Sequence, residues 1–147
     1  MIRAFKDSDC NIPLAKACKR EKAATTISPM SDSRFLRNIW KASELAYTYC
    51  DKKGNPLVIW GFTSIGWFWM FFADGIQNLP LDFYRDGMSV MNAAVSRYGR
   101  IMTISLVDTD DEIRFHRIFY KIGKMNVTRV YEECGHKWAV AERWYEP

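Results

Sequence analysis

The stretch Leu57–Phe72, LVIWGFTSIGWFWMFF, constrains this chain more than any other. It is almost wholly apolar, so the fold has to hide it from water. A membrane-spanning helix needs about 17–25 apolar residues. This run falls just short of that, and its interior carries Gly61, Thr63, Ser64 and Gly66. Most of the remainder is β-branched or aromatic, a composition that favours strands. The spacing predicts two buried strands, Leu57–Phe62 and Trp67–Phe72, joined by a turn at Thr63–Gly66. Strands apolar on both faces belong in the middle of a sheet covered on both sides.

The rest of the chain supplies what such a sheet needs. At 147 residues it has the length of one domain with a real core. A hydrophobic share of 48% with 26% charged residues is that of a folded globular chain. Aromatics are plentiful, and the tryptophans among them either dominate the core or leave an adhesive face. The net charge of +4 permits attraction to nucleic acid without arguing for it. Cys10, Cys18, Cys50 and Cys134 form no CxxC pair, and only His136 lies near one of them. That spacing does not predict a metal site. With no leader-like segment in view, reduced thiols and an intracellular setting are expected.

In chain order, Ile2–Phe5 reads as a short strand. Asp7, Ser8 and Asp9 offer capping oxygens for a helix starting near Asn11, with Pro13 in its first turn. Lys16, Lys19, Arg20 and Lys22 read as a solvated helix face. Pro29 breaks the chain. A second helix over Asp32–Ala42 puts Phe35, Leu36, Ile39 and Trp40 on one side. From Leu45 the period changes to two. Leu45–Cys50, Leu57–Phe62 and Trp67–Phe72 then make an antiparallel meander, with a turn at Asp51–Asn55. Pro80–Tyr98 reads as a helix closed by Gly99. The strand Ile101–Val107 follows and lies parallel to Trp67–Phe72 after a right-handed crossover. Thr109 and Glu112 form a capping-box signature for a helix running to Ile122, which Gly123 ends. Strands at Asn126–Tyr131 and Lys137–Trp144 close the chain, turning through Glu132–His136.

This order of a strand, two helices, three strands, helix, strand, helix and two strands resembles the GNAT acetyltransferase fold. That fold is an α+β architecture whose mixed sheet, mostly antiparallel with one parallel pair, is flanked by helices. The segment Ile113–Gly123, IRFHRIFYKIG, resembles the last helix of that fold. A narrower similarity rests on Trp67-Phe68, the helix through Met88 to Tyr98, the strand into Val107, Ile113-Arg-Phe115 and Ile122-Gly123. These are similar to a small GNAT-like family of short-tailed phages, the internal virion protein A or virion-assembly proteins of the autographivirus group. The resemblance implies a role in virion assembly, with other virion or internal core proteins as partners. It also implies a place in the host cytoplasm during assembly and then in the particle.

The GNAT resemblance brings an expected chemistry that these residues meet poorly. In that family the pyrophosphate of acetyl-CoA sits on backbone N–H groups at the helix start after the fourth strand, which needs glycines and an open helix end. Here that place reads Ala73–Pro80, ADGIQNLP. It has the single glycine Gly75, a carboxylate at Asp74, a donor lost at Pro80 and no cation. If a cofactor did bind, Asp74, Gly75, Gln77 and Asn78 would hold it. The family's acid, a tyrosine four residues before the glycine ending the last helix, falls on Phe119. Tyr120 is the alternative, but one step along a helix turns it by about 100°. The acidic run Asp108–Glu112 is expected to cap its helix and not to bind metal. No P-loop or dinucleotide motif is present. The sequence therefore points to a non-catalytic interaction protein that uses no cofactor, with Trp40, Trp60, Trp138 and Trp144 as candidate contact residues. An acetyl-CoA-dependent N-acetyltransferase with an altered loop is the alternative. A nucleic-acid binder supported only by Lys16–Lys22 comes third.

Overall fold

The computed structural model describes residues 1–26, 29–76 and 78–147. Among the described residues, four α-helices pack around two β-sheets, an α+β arrangement. Strands β1 (Ile2–Ala4), β2 (Leu45–Cys50), β3 (Pro56–Phe62) and β4 (Phe68–Phe72) form the first sheet in that order, all antiparallel. Strands β5 (Arg100–Leu106), β7 (His136–Trp144) and β6 (Asn126–Glu133) form the second. Helices α1 (Lys16–Thr25), α2 (Asp32–Lys41), α3 (Leu81–Tyr98) and α4 (Asp110–Gly123) lie between and over them.

The apolar run is the hairpin β3–β4, with Val58 opposite Phe72 and Phe62 opposite Phe68. Val58, Ile59, Trp60, Phe62, Phe68 and Phe72 are fully buried. Burial on both faces explains why the sequence shows no alternation here. Gly66 takes the positive φ of the turn, at +80°. No helix among the described residues is long and apolar enough to cross a membrane.

The mostly antiparallel mixed sheet with one parallel contact is present, split into two parts that meet in parallel at the isolated bridge Trp67–Met102, where the Met102 N–H donates to the Gly66 carbonyl at 3.1 Å. Beyond that seam the strands diverge, and α1 fills the far end of the gap.

The structure corrects several expectations. The helix expected from Asn11 starts five residues later. Asp9 caps a short 3-10 turn, Asp7–Asn11, by accepting from the Lys6 N–H at 2.9 Å. Pro13 then forces Ile12 out of the helical region, to φ −57° and ψ 129°. Leu14 pairs with Ala73 as an isolated antiparallel bridge before α1 begins.

Gly123 does not end α4 by turning left-handed. Lys124 does so, at φ +49°, and Gly123 is the helix's last residue. A Cβ on Gly123 would lie 2.9 Å from Met125 Cγ and 3.0 Å from Met91 Cε, so glycine is there for close packing.

Trp60, expected as a contact residue, is fully buried, whereas Trp144 is 60% exposed. The last hairpin turns tightly at Cys134-Gly135, both at positive φ.

Candidate functional site

The divergence of β4 and β5 creates a cleft of about 610 Å³ on the side of α1 and α2. Its floor is Trp67, residues Phe68–Phe71 of β4 and Thr103–Ser105 of β5. Phe35 and Ile39 of α2 form one wall. Tyr131, Glu133, Cys134 and Trp138 of the β6–β7 hairpin form the other. Glu21 of α1 closes the inner end and accepts a hydrogen bond from the Leu106 N–H at 2.9 Å. Burial pushes the Glu21 carboxyl up to about 7, and the nearby Glu112 charge adds to this against the Leu106 hydrogen bond.

Behind the cleft, along α4, the interior narrows to a cavity of about 20 Å³ bounded by Met70, Phe72, Phe115, His116 and Phe119. That volume is roughly room for one water. Phe72 stacks on Phe115 at 4.4 Å between ring centroids and on Phe119 at 5.9 Å. The Phe72 peptide is also occupied, with its carbonyl accepting from the Ala15 N–H at 2.9 Å and its N–H directed at Cys18 Sγ at 3.4 Å. Burial lifts the Cys18 thiol to about 12, so it is an inert packing group. His116 is buried with neither ring nitrogen bonded, and desolvation lowers it to about 4, leaving it neutral.

Past this constriction lies an outer pocket of about 270 Å³ beside the loop after β4, lined by Ile76, Asn78 and Leu79. Across from them stand Arg114, Arg117 and Lys121 of α4. The loop carries no cation of its own, but the fold brings these three to it. Arg114 donates to the Ile76 carbonyl at 3.3 Å, and Lys121 Nζ sits 4.4 Å from the centre of the Tyr84 ring.

The fallback cofactor residues are partly committed elsewhere. The Asp74 N–H donates to the Pro13 carbonyl at 2.7 Å. Gly75 has φ +78° with open space around it. Asn78 lines the outer pocket, and Gln77 lies outside the described residues. At the start of α3 the positive helix end already has Asp82, which accepts from the Tyr49 hydroxyl at 2.9 Å.

Phe119 lines the cleft. Tyr120 lies beside His116, 5.5 Å between ring centroids, and burial raises its hydroxyl above the usual tyrosine range. On the basic face of α1, Lys16 is exposed and the other three cations meet carboxylates. Arg20 pairs with Glu112 at 2.9 Å and Asp108 at 3.5 Å, and Lys19 and Lys22 pair with Asp32. The acidic run behaves as a cap, with Thr109 and Glu112 exchanging bonds of 3.3 and 3.0 Å. Sequence inspection missed Glu21, hidden among the cations of α1, and the stripe at 114, 117 and 121. The stripe's spacing along a helix was the available signal.

No protein-family model matches the chain, and no curated protein matches it by sequence. Solved structures do match it in shape. A GNAT-family acetyltransferase from Bacillus anthracis superposes with TM-score 0.65 at 9% identity, covering 97% of this chain and 93% of its own. Aminoglycoside 6'-acetyltransferase type Ii gives 0.65 at 12% identity, with 100% and 98% covered. A Salmonella typhimurium acetyltransferase solved with its cofactor acetyl-CoA gives 0.59 at 11% identity, with 98% and 92% covered. The fold is that of the GNAT acetyltransferases. Identities this low establish architecture and nothing of the chemistry.

Proposed function

We propose that this chain is a non-catalytic GNAT-fold protein that acts by protein–protein contact. Its setting is assembly of a short-tailed phage particle, with other virion or internal core proteins as partners. The observation that carries the non-catalytic part is the constriction. A coenzyme with its diphosphate at residues 73–80 must pass its thiol arm inward to present an acyl group in the cleft. The way in is closed by the stack of Phe72 on Phe115 and by the seating of Pro13–Ala15 on the β4 edge. Phe119 lines the cleft where the family's acid would stand, and a phenyl ring has no proton to give. The phage setting rests on the sequence resemblance alone.

A second reading, acetyl-CoA-dependent N-acetyl transfer, draws support from Arg114, Arg117 and Lys121 beside the loop and from neighbours that are acetyltransferases, one of them solved with acetyl-CoA. Thermal unfolding with increasing acetyl-CoA separates the two. The expected result is a shift no larger than adenosine 3',5'-bisphosphate gives at the same concentration. A ligand at 100 times its Kd would add about 2.7 kcal/mol, and a graded rise of that kind would falsify the non-catalytic reading. For the phage setting, tagged chain recovered during phage growth should bring down internal core proteins of the particle. Recovery in which these are absent rejects that setting.

A further inference from the structure

Strand β6 lies at the edge of the second sheet with one long side unpaired among the described residues, and every residue in it but Tyr131 is exposed. The Val107 N–H donates to the Lys137 carbonyl, so the odd-numbered residues of β7 turn their peptides toward β5 and the even-numbered ones toward β6. Of the latter, His136, Trp138 and Val140 stand opposite Glu133, Tyr131 and Arg129. Those three residues of β6 therefore direct their peptides at β7, and Val130 and Glu132 turn theirs outward. A register shift between Val127 and Arg129 ends the regular stretch on one side, and the turn at Cys134 ends it on the other. Residues 129–133 are a regular free edge, a template for another strand.

The charges on this edge select the strand that fits it. Arg129 stands at one end, with Glu132 and Glu133 at the other. The Arg129 guanidinium lies 4.8 Å from the centre of the Tyr131 ring and meets no carboxylate among the described residues. A second copy of the same strand, run antiparallel, presents the opposite order of charge. In such a pair outward peptides meet outward peptides, so Val130 and Glu132 face either themselves or each other. Val130 on Val130 sets Arg129 against Tyr131 and leaves both carboxylates without a cation opposite. Glu132 on Glu132 sets like charges against each other, which is destabilising. Val130 on Glu132 puts Arg129 opposite Glu133 twice, once on each side of a two-fold axis at Tyr131. Arg129 and Glu133 then occupy the sites where facing side chains come closest. On the other face the two copies of Val130, 52% exposed in the single chain, become diagonal neighbours. We propose that this chain forms a homodimer by antiparallel pairing of β6 with β6 of a second copy, in the register that sets Val130 on Glu132 and Arg129 on Glu133. The two-fold axis closes the contact at two copies. This dimer is independent of whether the chain is an enzyme.

Sedimentation velocity of the full chain, from micromolar to sub-millimolar concentration, tests the proposal. A reversible monomer–dimer equilibrium is expected. Arg129→Glu should weaken it about tenfold, and adding Glu133→Arg to that variant should restore it to within about threefold of the wild type. Val130→Pro removes an outward N–H without touching the β7 ladder and should weaken the dimer about as much as Arg129→Glu does. Unfolding midpoints at a concentration where the wild type is monomeric show that each variant is folded. Register is read separately, in a Cys134→Ser background. There Tyr131→Cys should cross-link two copies on oxidation, because its Cα atoms face each other across the axis at about 4.5 Å. Glu132→Cys, two residues out of step with its own copy, should not. A wild type that stays monomeric throughout, or an open series of larger oligomers, would overturn the proposal. So would a dimer untouched by Arg129→Glu and Val130→Pro, a charge exchange that restores nothing, or cross-linking at 132 in place of 131.

Discussion

Gly66 joins the two sheets at a positive φ with no room for a side chain. Its φ is +80°, and a Cβ there would lie 2.2 Å from the Arg100 carbonyl oxygen. Its own carbonyl accepts the Met102 N–H, the contact that ties β4 to β5. Gly66→Ala adds left-handed strain to a clash with backbone that cannot swing aside. A loss of about 2–4 kcal/mol is expected from denaturant midpoints. Gly54→Ala, at φ +84° with nothing near its Cβ, should lose only about 1 kcal/mol. Equal losses at the two sites would refute the seam. Two ionisable groups whose titration is displaced in opposite directions give a second residue-scale expectation. His116 is lowered from 6.5 to about 4, so between those values the unfolded chain binds more protons and stability rises with pH. Glu21 is raised from 4.5 to about 7, so across that window the folded chain binds more protons and stability falls as pH rises. The two slopes oppose each other between about pH 4.5 and 6.5, and the wild type should be nearly flat there. His116→Gln should leave stability falling with pH, and Glu21→Gln should leave it rising. Chemical denaturation at pH 4.5, 5.5 and 6.5 reads the signs directly.

At the scale of elements, what could be read from the sequence depended on how local each signal is. The meander β2–β4, the helices α2 and α3 and the cap of α4 were legible because their periods and caps lie within a few residues of one another. The capping box at Thr109 is an example, since both its partners are local. The start of α1 was not legible. The polar and apolar pattern runs unbroken through Pro13, and what holds residues 13–15 extended is bonding to Phe72 and Asp74, some sixty residues away. The basic face of α1 was likewise read as solvated, whereas Arg20 reaches Glu112, whose side chain is 2% exposed. Glu112 therefore serves α4 twice, bonding the Thr109 N–H through one oxygen and Arg20 through the other. Arg20→Ala leaves a buried carboxylate with its charge unanswered. Arg20 is itself about one-third exposed, so solvent screening limits the loss to about 1–3 kcal/mol. Thr109→Ala should cost about 1 kcal/mol. A double-mutant cycle between Arg20→Ala and Glu112→Gln is expected to show coupling above 0.5 kcal/mol, about the least that contacting residues give. Strict additivity would mean the pair contributes nothing to docking α1 on α4.

For the whole molecule, the family architecture was legible and the state of its cofactor route was not. By its own composition the loop 73–80 is glycine-poor and acidic. Two facts that bear on the same question lie elsewhere in the chain. Arg114, Arg117 and Lys121 supply the positive charge the loop lacks, which favours phosphate. Phe72, Phe115 and the segment 13–15 close the path inward, which opposes the rest of the coenzyme. These opposing effects separate in a single variant. Phe115→Ala removes the ring stacked on Phe72 and links the outer pocket to the cleft, at a cost of about 3–5 kcal/mol for deleting a buried aromatic. Adenosine 3',5'-bisphosphate tests the cationic rim alone. It should bind wild type and variant equally, weakly, and less tightly as salt is raised. Acetyl-CoA also needs the inward path. It should match the bisphosphate in the wild type and exceed it several-fold only in Phe115→Ala, by calorimetry at low ionic strength. If acetyl-CoA binds the wild type more tightly than the bisphosphate does, the stack of Phe72 on Phe115 is no barrier, and the case for a non-catalytic chain loses its physical basis.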